Sequence, residues 1–305
     1  MRRAAWLALT LAAVAASRVH AQSPPPAATP QSYADEIRAW RQQRVDRLRA
    51  DNGWLTVAGL FWLQEGDNTF GCAAKNTIVL PPRSAADFAG VFTHHGSETS
   101  VRANPGVVMR VGPDTVTARV LKPDAEGAPD VVEMGRLRFF VIRRGGRDAI
   151  RMRDLESAGR KHFKGIGNYA TDPKWRIPAR FEPYNPPHHI PIASIIGTVD
   201  SMTCPGALVF TAGGKEVRLD PVLEAPDATD LFIIFSDETS GQETYGAGRF
   251  LYAELPKNGT TVLDFNKAYN PPCAFTEFAT CPLPPPQNAL PVAIRAGEKK
   301  YGHSR

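Results

Sequence analysis

Several things are scarce in this sequence. Only 4 of its 305 residues are cysteine. No stretch after residue 21 approaches the roughly 20 consecutive apolar residues that a membrane-crossing helix needs, which excludes stable membrane insertion. Neither sign of charge dominates. The chain has 36 Lys and Arg against 31 Asp and Glu, and residues 1–21 hold three of the arginines and no acid, leaving 33 bases against 31 acids. Non-specific nucleic-acid binding rests on a concentrated basic surface, so nucleic acid is excluded as a partner. Nucleotide and nucleophile motifs are missing too. Gly246-Ala247-Gly248 lacks a third glycine and a strand–helix frame, and Ser240-Gly241 lacks the flanking pattern of a nucleophile elbow. His94-His95 and His188-His189 are adjacent pairs, which a strand points to opposite faces, so neither pair chelates. No metal and no cofactor is expected.

What is present begins with an export signal. Arg2 and Arg3 precede an apolar run over residues 6–16, and Val19-His20-Ala21 offers small residues where a signal peptidase reads. Cleavage after Ala21 is expected, with the mature protein periplasmic or secreted. Residues 22–31 (QSPPPAATPQ) have no apolar period and read as a disordered tether. The 25 glycines and 27 prolines favour turns over long helices.

One long helix is expected. Ser32 caps it with Asp35 three positions on, Tyr33, Ile37, Trp40 and Leu48 recur at near-helical spacing, and Asn52-Gly53 ends it. Residues 54–57, 60–63, 69–71, 77–80 and 107–120 carry short strand signals. A polar break at 122–130 divides the chain into a helix plus small β subdomain (32–125) and an antiparallel β domain with a Pro-rich C-terminal segment (126–305). In the latter, strands are expected at 137–143, 148–153, 174–181, 207–210, 216–219, 231–235, 250–255 and 260–265. Turns separate them, among them one at Asn185-Pro186-Pro187. The fold class is mainly β: an N-terminal helix, a small sandwich-like sheet, then an antiparallel meander forming a barrel or sandwich. Leu231 to Phe235 is apolar at every position and is expected to be covered on both sides.

Two resemblances rest on particular blocks. Residues 71–80 (GCAAKNTIVL) resemble forkhead-associated domains, in which glycine-arginine precedes an asparagine and a short apolar strand. Cys72 stands where that arginine would be, so the resemblance implies a β-sandwich shape and no phosphothreonine recognition. Residues 53–71, 146–163, 243–251 (ETYGAGRFL) and above all 264–281 (DFNKAYNPPCAFTEFATC) resemble the family called domain of unknown function 1684. That resemblance implies no catalytic residue.

Candidate chemistry therefore comes from the residues. Asp237, Tyr245, Arg249, Asn266, Tyr269 and Asn270 fall at ends of expected strands, where loops of a meander converge on a pocket. A small anionic or polar ligand docking on Arg249 is the first expectation. A periplasmic hydrolase using Asp237 or Glu243 with Tyr245 and Arg249 is the alternative, and an envelope scaffold without ligand is the second. Structural turn residues, with Arg249 and Asp264 paired, would serve the scaffold. Arg147, Arg151 and Arg153 share parity on one expected strand and form a secondary anion site, unless they are a solvated face. In an oxidising compartment Cys273 and Cys281 are expected to form a disulfide, with free thiols as the other reading. The sequence assigns no partner to Cys72 or Cys204.

Overall fold

The computed structural model describes residues 30–302. The expected signal peptide lies outside the described residues, as does the tether except for Pro30 and Gln31. Those two residues open the long helix, Pro30–Arg49, two positions before the expected cap. Tyr33, Ile37 and Leu48 are its buried stripe. The chain then turns so tightly under the helix end that a Cβ at Gly53 would sit 2.3 Å from the Leu48 carbonyl oxygen. Only glycine fits there.

Beyond this turn the chain builds two sheets. A five-stranded sheet runs in the order Ile78–Val79, Gly66–Gly71, Gly90–His95, Glu98–Ala103, Ala118–Leu121. A six-stranded sheet runs Val57–Trp62, Arg147–Asp154, Leu137–Arg144, Val132–Met134, Met109–Val111, Asp114–Val116. Their facing sides share a core centred on Phe70, Phe92 and Phe139, whose rings lie 4.6–5.9 Å apart. The expected break at 122–130 falls inside this unit, because the Leu137–Asp154 hairpin pairs with Val57–Trp62.

The alternation of strand Arg147–Asp154 divides its side chains between two environments. Ile150 and Met152 face the aromatic core, while Ala149, Arg151 and Arg153 face the other way, out of the sandwich.

The second half is built on a four-stranded sheet, Lys215–Leu219, Val199–Ala212, Arg176–Ala193, Thr260–Asp264, and a two-stranded sheet, Asp230–Phe235 with Arg249–Glu254. Leu231, Ile233, Phe235 and Leu251 point into a core with Phe210, Leu263 and Phe265. The alternate residues Phe232, Ile234 and Phe250 point into a separate cluster. Leu231 to Phe235 is thus apolar throughout because both of its faces are covered, although its sheet has only two strands. The described sheets are open, with no closed barrel among them.

The turn expected at Asn185-Pro186-Pro187 is instead a bulge within an 18-residue strand. Pairing with Val199–Ala212 lapses between Pro183 and His188, and the Asn185–Pro186 peptide is cis. Proline offers no N–H to a ladder, so the strand bows out and resumes. The long hairpin that results carries its tip back to the first sandwich. A Cβ on Gly145, in the turn between Leu137–Arg144 and Arg147–Asp154, would lie 2.6 Å from Thr198 Cγ2.

Candidate functional site

A cleft of about 470 Å³ opens where the hairpin tip, the first sandwich and the long helix meet. One wall is aromatic. Phe250 and Tyr252 are two apart on one strand and share its cleft-side face, as does Phe232 on the neighbouring strand. Phe232 meets Phe250 edge-on at 4.9 Å and stacks on Tyr252 at 5.0 Å, and Tyr269 completes the wall 6.3 Å from Tyr252. Burial raises the Tyr269 phenol to about 12 and pushes Tyr252 up further, so both remain hydrogen-bond donors at any physiological pH. Tyr252 donates to Glu224 at 2.7 Å, at the exposed edge of the cleft.

Three guanidiniums also line the cleft, and their partners differ. Arg44 comes from the long helix, where it interrupts the apolar stripe. It pairs with the buried carboxylate of Glu298 at 3.1 Å, donates to the Asn270 carbonyl at 2.9 Å, and lies 4.7 Å over the Tyr269 ring. Loss of solvation raises the Glu298 carboxyl, against the pull of Arg44 and the Asn270 N–H. Arg144 is bound to Asp124 through both terminal nitrogens, at 3.0 and 2.7 Å.

Arg151 has no carboxylate partner among the described residues. It is only 4 % exposed, its Nη2 donates to Thr280 Oγ1 at 3.3 Å, and its Nε is buried without an acceptor. Its carbon Cζ lies 5.2 Å over the Trp54 ring. Burial, with repulsion from Arg144 and Arg153, lowers it to about 10, which still leaves it charged at neutral pH.

Of the expected arginine row, then, Arg151 alone lines this cleft. Arg153 donates to the Gly53 carbonyl and lies over Phe140, and Arg147 is exposed over Trp62.

Tyr269 is also the one member of the expected strand-end set found at the cleft. Arg249 sits on the opposite face of its strand from Phe250 and Tyr252 and is fully buried. Its Nη2 bonds Asp237 Oδ2 at 2.7 Å and the Ile294 carbonyl at 2.8 Å, and its Nη1 bonds the Ala296 carbonyl. Its ion-pair partner is Asp237, not Asp264. Asp264 instead accepts from Tyr33 at 2.7 Å. Asn266 bridges Tyr33 and both backbone groups of Asp172. Asn270 donates its backbone N–H to Glu298 and its amide to the Lys299 carbonyl. Tyr245 is half-buried, and Glu243 is exposed and held by Tyr169 and Arg295. Gly248, at φ +85°, brings the backbone against the Phe235 carbonyl rather than against the cleft.

The floor of the cleft is the segment closed by the Cys273–Cys281 disulfide, whose Cα atoms are 6.2 Å apart. Cys72 and Cys204 are free thiols, and burial raises that of Cys204 to about 11. The bridge spans 8 positions, so the chain-entropy argument gives it about 2–3 kcal/mol of stability. Replacing both cysteines by serine should lower the urea midpoint accordingly, and an unchanged midpoint would count against it. No group of three or more metal-ligating side chains occurs among the described residues, and none of their helices is long and apolar enough to cross a membrane.

Residues 161–299 match the family described as "Protein of unknown function (DUF1684)". An uncharacterized protein of Haloarcula marismortui, solved by solution NMR, is 30% identical over 47% of this chain and 81% of its own, with a TM-score of 0.41. Segment 161–299 belongs to the DUF1684 family. Two forkhead-associated structures are also similar. One comes from a study of phosphothreonine-dependent interactions (17% identity, 30% of this chain, 79% of its own). The other is the FhaA domain in complex with an intracellular domain (18%, 30% and 84%), and both have TM-scores of 0.22. No curated protein matches the chain. The DUF1684 match takes in the aromatic wall, the hairpin and the disulfide floor, whereas Arg44, Trp54, Arg144 and Arg151 precede it.

Proposed function

We propose that this is an exported binding protein that takes a small organic anion, a carboxylate with an aromatic or alkyl body, into the cleft. The observation that carries the reading is Arg151. It is a buried guanidinium beside two others that are already neutralised, and it faces a wall of phenyl and phenol rings. Keeping a charge out of water without a partner is costly, whereas a carboxylate placed against a guanidinium forms short, charge-assisted and often bidentate bonds. The volume suits a drug-sized molecule. The two carboxylates of the cleft, Asp200 and Glu224, are exposed at its edge. Charge therefore orients the ligand, acid end inward to Arg151 and apolar body along Phe232, Phe250 and Tyr252. The residues named for hydrolysis do not come together here: Asp237 and Arg249 hold each other in the interior, and Glu243 is on the surface.

A thermal-shift screen of aromatic and aliphatic carboxylates, followed by titration of the best binder against Arg151→Met, tests this. The variant keeps the aliphatic bulk and should lose about 1.5–3 kcal/mol of affinity, the worth of a hydrogen bond to a charged group. Its melting temperature should hold or rise, because an unpaired buried charge has been removed. Equal binding by the variant, or no carboxylate that stabilises the wild type, refutes the proposal.

A further inference from the structure

A second cavity, of about 410 Å³, lies on the other side of Arg44, between the long helix and the loop at residues 164–168. Five of its eleven lining residues are cationic, against one carboxylate. Arg38, Arg41 and Arg49 come from one helical face, since steps of 3 and 11 residues return close to the same angle. Lys164 stands across from them on the loop.

The partners of these groups leave the cavity with a large excess of positive charge. Arg41 is half-buried and has no carboxylate within ion-pair distance among the described residues. Its Nη2 donates to the Tyr169 carbonyl at 3.0 Å, and its Nε is buried without an acceptor. Among the described residues the Arg49 side chain bonds only the Phe163 carbonyl, and it lies over that ring at 5.0 Å. Lys164 has no hydrogen-bond or ion-pair partner among the described residues. Arg38 pairs with Asp35, but both are exposed, and such pairs are worth little. The one carboxylate of the lining, Glu298, is 1% exposed and already taken by Arg44 and the Asn270 N–H. Of the two remaining polar lining groups, Gln42 donates to Asp46 at 2.9 Å and Asn168 donates its amide to the Ile166 carbonyl.

We propose that this groove is a second, separate anion site and that it takes a small multiply charged oxyanion, a pyro- or triphosphate or a phosphate or sulfate ester of similar size. A single carboxylate would answer one of the cations, whereas Arg38 and Arg49 are about 16 Å apart along the helix. Several charged groups carried on one molecule can answer more than one of these cations at once. Guanidinium gives fork-shaped bonds to phosphate or sulfate oxygens, and the lysine supplies a mobile point charge at the rim. The site does not depend on the carboxylate reading of the cleft, because Arg151 is no part of it.

Calorimetric titration of the full mature chain at low salt tests it, with inorganic triphosphate as the first probe and a sulfated disaccharide as the second. Tighter binding of the triphosphate assigns a phosphate ligand, and tighter binding of the disaccharide a sulfate ester. Lys164→Met, an exposed change that leaves packing intact, should weaken the better probe several-fold. Arg41→Met with Lys164→Met should weaken it by about tenfold or more, and added salt should weaken wild-type binding steeply. Arg151→Met should leave this affinity unchanged. The proposal is overturned if neither probe binds the wild type, if binding survives the double change, or if an oligothymidylate binds more tightly and is indifferent to both substitutions.

Discussion

Arg249→Met is expected to destabilise the protein by about 3–5 kcal/mol, the usual consequence of removing one partner of a buried ion pair. The cost has two parts. Asp237 is left as a carboxylate in the interior, held by the Thr239 N–H at 2.7 Å, the Thr239 hydroxyl at 2.6 Å and, more weakly, the Ile294 N–H at 3.4 Å. The carbonyls of Ile294 and Ala296 lose their donor, and with it the C-terminal segment loses the anchor that lays Ile294 and Ala296 onto the core. Adding Asp237→Asn should recover part of the loss, since the two residues act as a unit. Urea denaturation of the two variants gives both numbers. A single variant within about 1 kcal/mol of wild type would mean that the pair contributes no such anchor. This arginine and Arg151 are thus predicted to behave oppositely: one substitution costs stability and spares the cleft, and the other costs affinity and spares stability.

Most of the strands could be read from the sequence as short β-prone runs between turn signals. Residues 216–219 and 260–264 alternate exposed and buried positions, whereas 137–143, 148–153, 207–210 and 231–235 are buried on nearly every residue, and all prove to be strands, Phe265 alone falling in the helical turn that follows. Local pattern failed where pairing was remote or interrupted. Trp54–Thr56 is a helical turn ahead of Val57–Trp62, since the glycine under the helix end imposes the geometry there. Asn185-Pro186-Pro187 looked like a turn because proline breaks a ladder, yet 10 register partners, four before the gap and six after it, hold the strand through it. Nothing local says that Leu137–Asp154 pairs with Val57–Trp62, some 90 residues earlier, and that pairing, together with the link through Val132–Met134 to Met109–Val111, places the hairpin in the first sandwich.

The cleft was harder to read for a related reason. Strand parity was visible, but parity does not say which face meets a second layer. Arg151 and Arg249 therefore looked alike: each is an arginine beside apolar residues on a strand. Tertiary packing made one a structural lock facing the core and left the other facing a cleft. Trp54 and Glu224 carry no motif and could not be singled out. Arg44 did leave a trace, since an arginine falls on the helical stripe of Tyr33, Ile37 and Leu48 where a purely structural helix would carry an apolar residue.

The remaining large effect concerns whether the two halves unfold together. Phe139→Ala removes one of the three rings at the centre of the first sandwich, where Phe139 is 0% exposed and lies 5.8 and 5.9 Å from Phe70 and Phe92. A change of this kind costs about 3–5 kcal/mol, part transfer and part cavity, because closely packed rings relax only partly into the space. The interest lies in where the loss is felt. The long helix ties the halves to each other. Leu48 packs with Leu55 and Phe163, Tyr33 bonds Asp264, and Arg44 bonds Glu298. The hairpin tip adds a second tie at Gly145 and Thr198. With both ties in place the cleft has fixed walls, and the two cores should melt as one unit. Phe139→Ala should then shift the whole transition to lower urea, with the same midpoint whether followed at Trp62 in the first sandwich or at Trp175 against the second core, each observed in a variant lacking the other tryptophans. Two separated midpoints, with the Trp175 signal unmoved, would show that the halves are independent. In that case the Arg151 wall and the aromatic wall would be joined too loosely to hold a ligand between them.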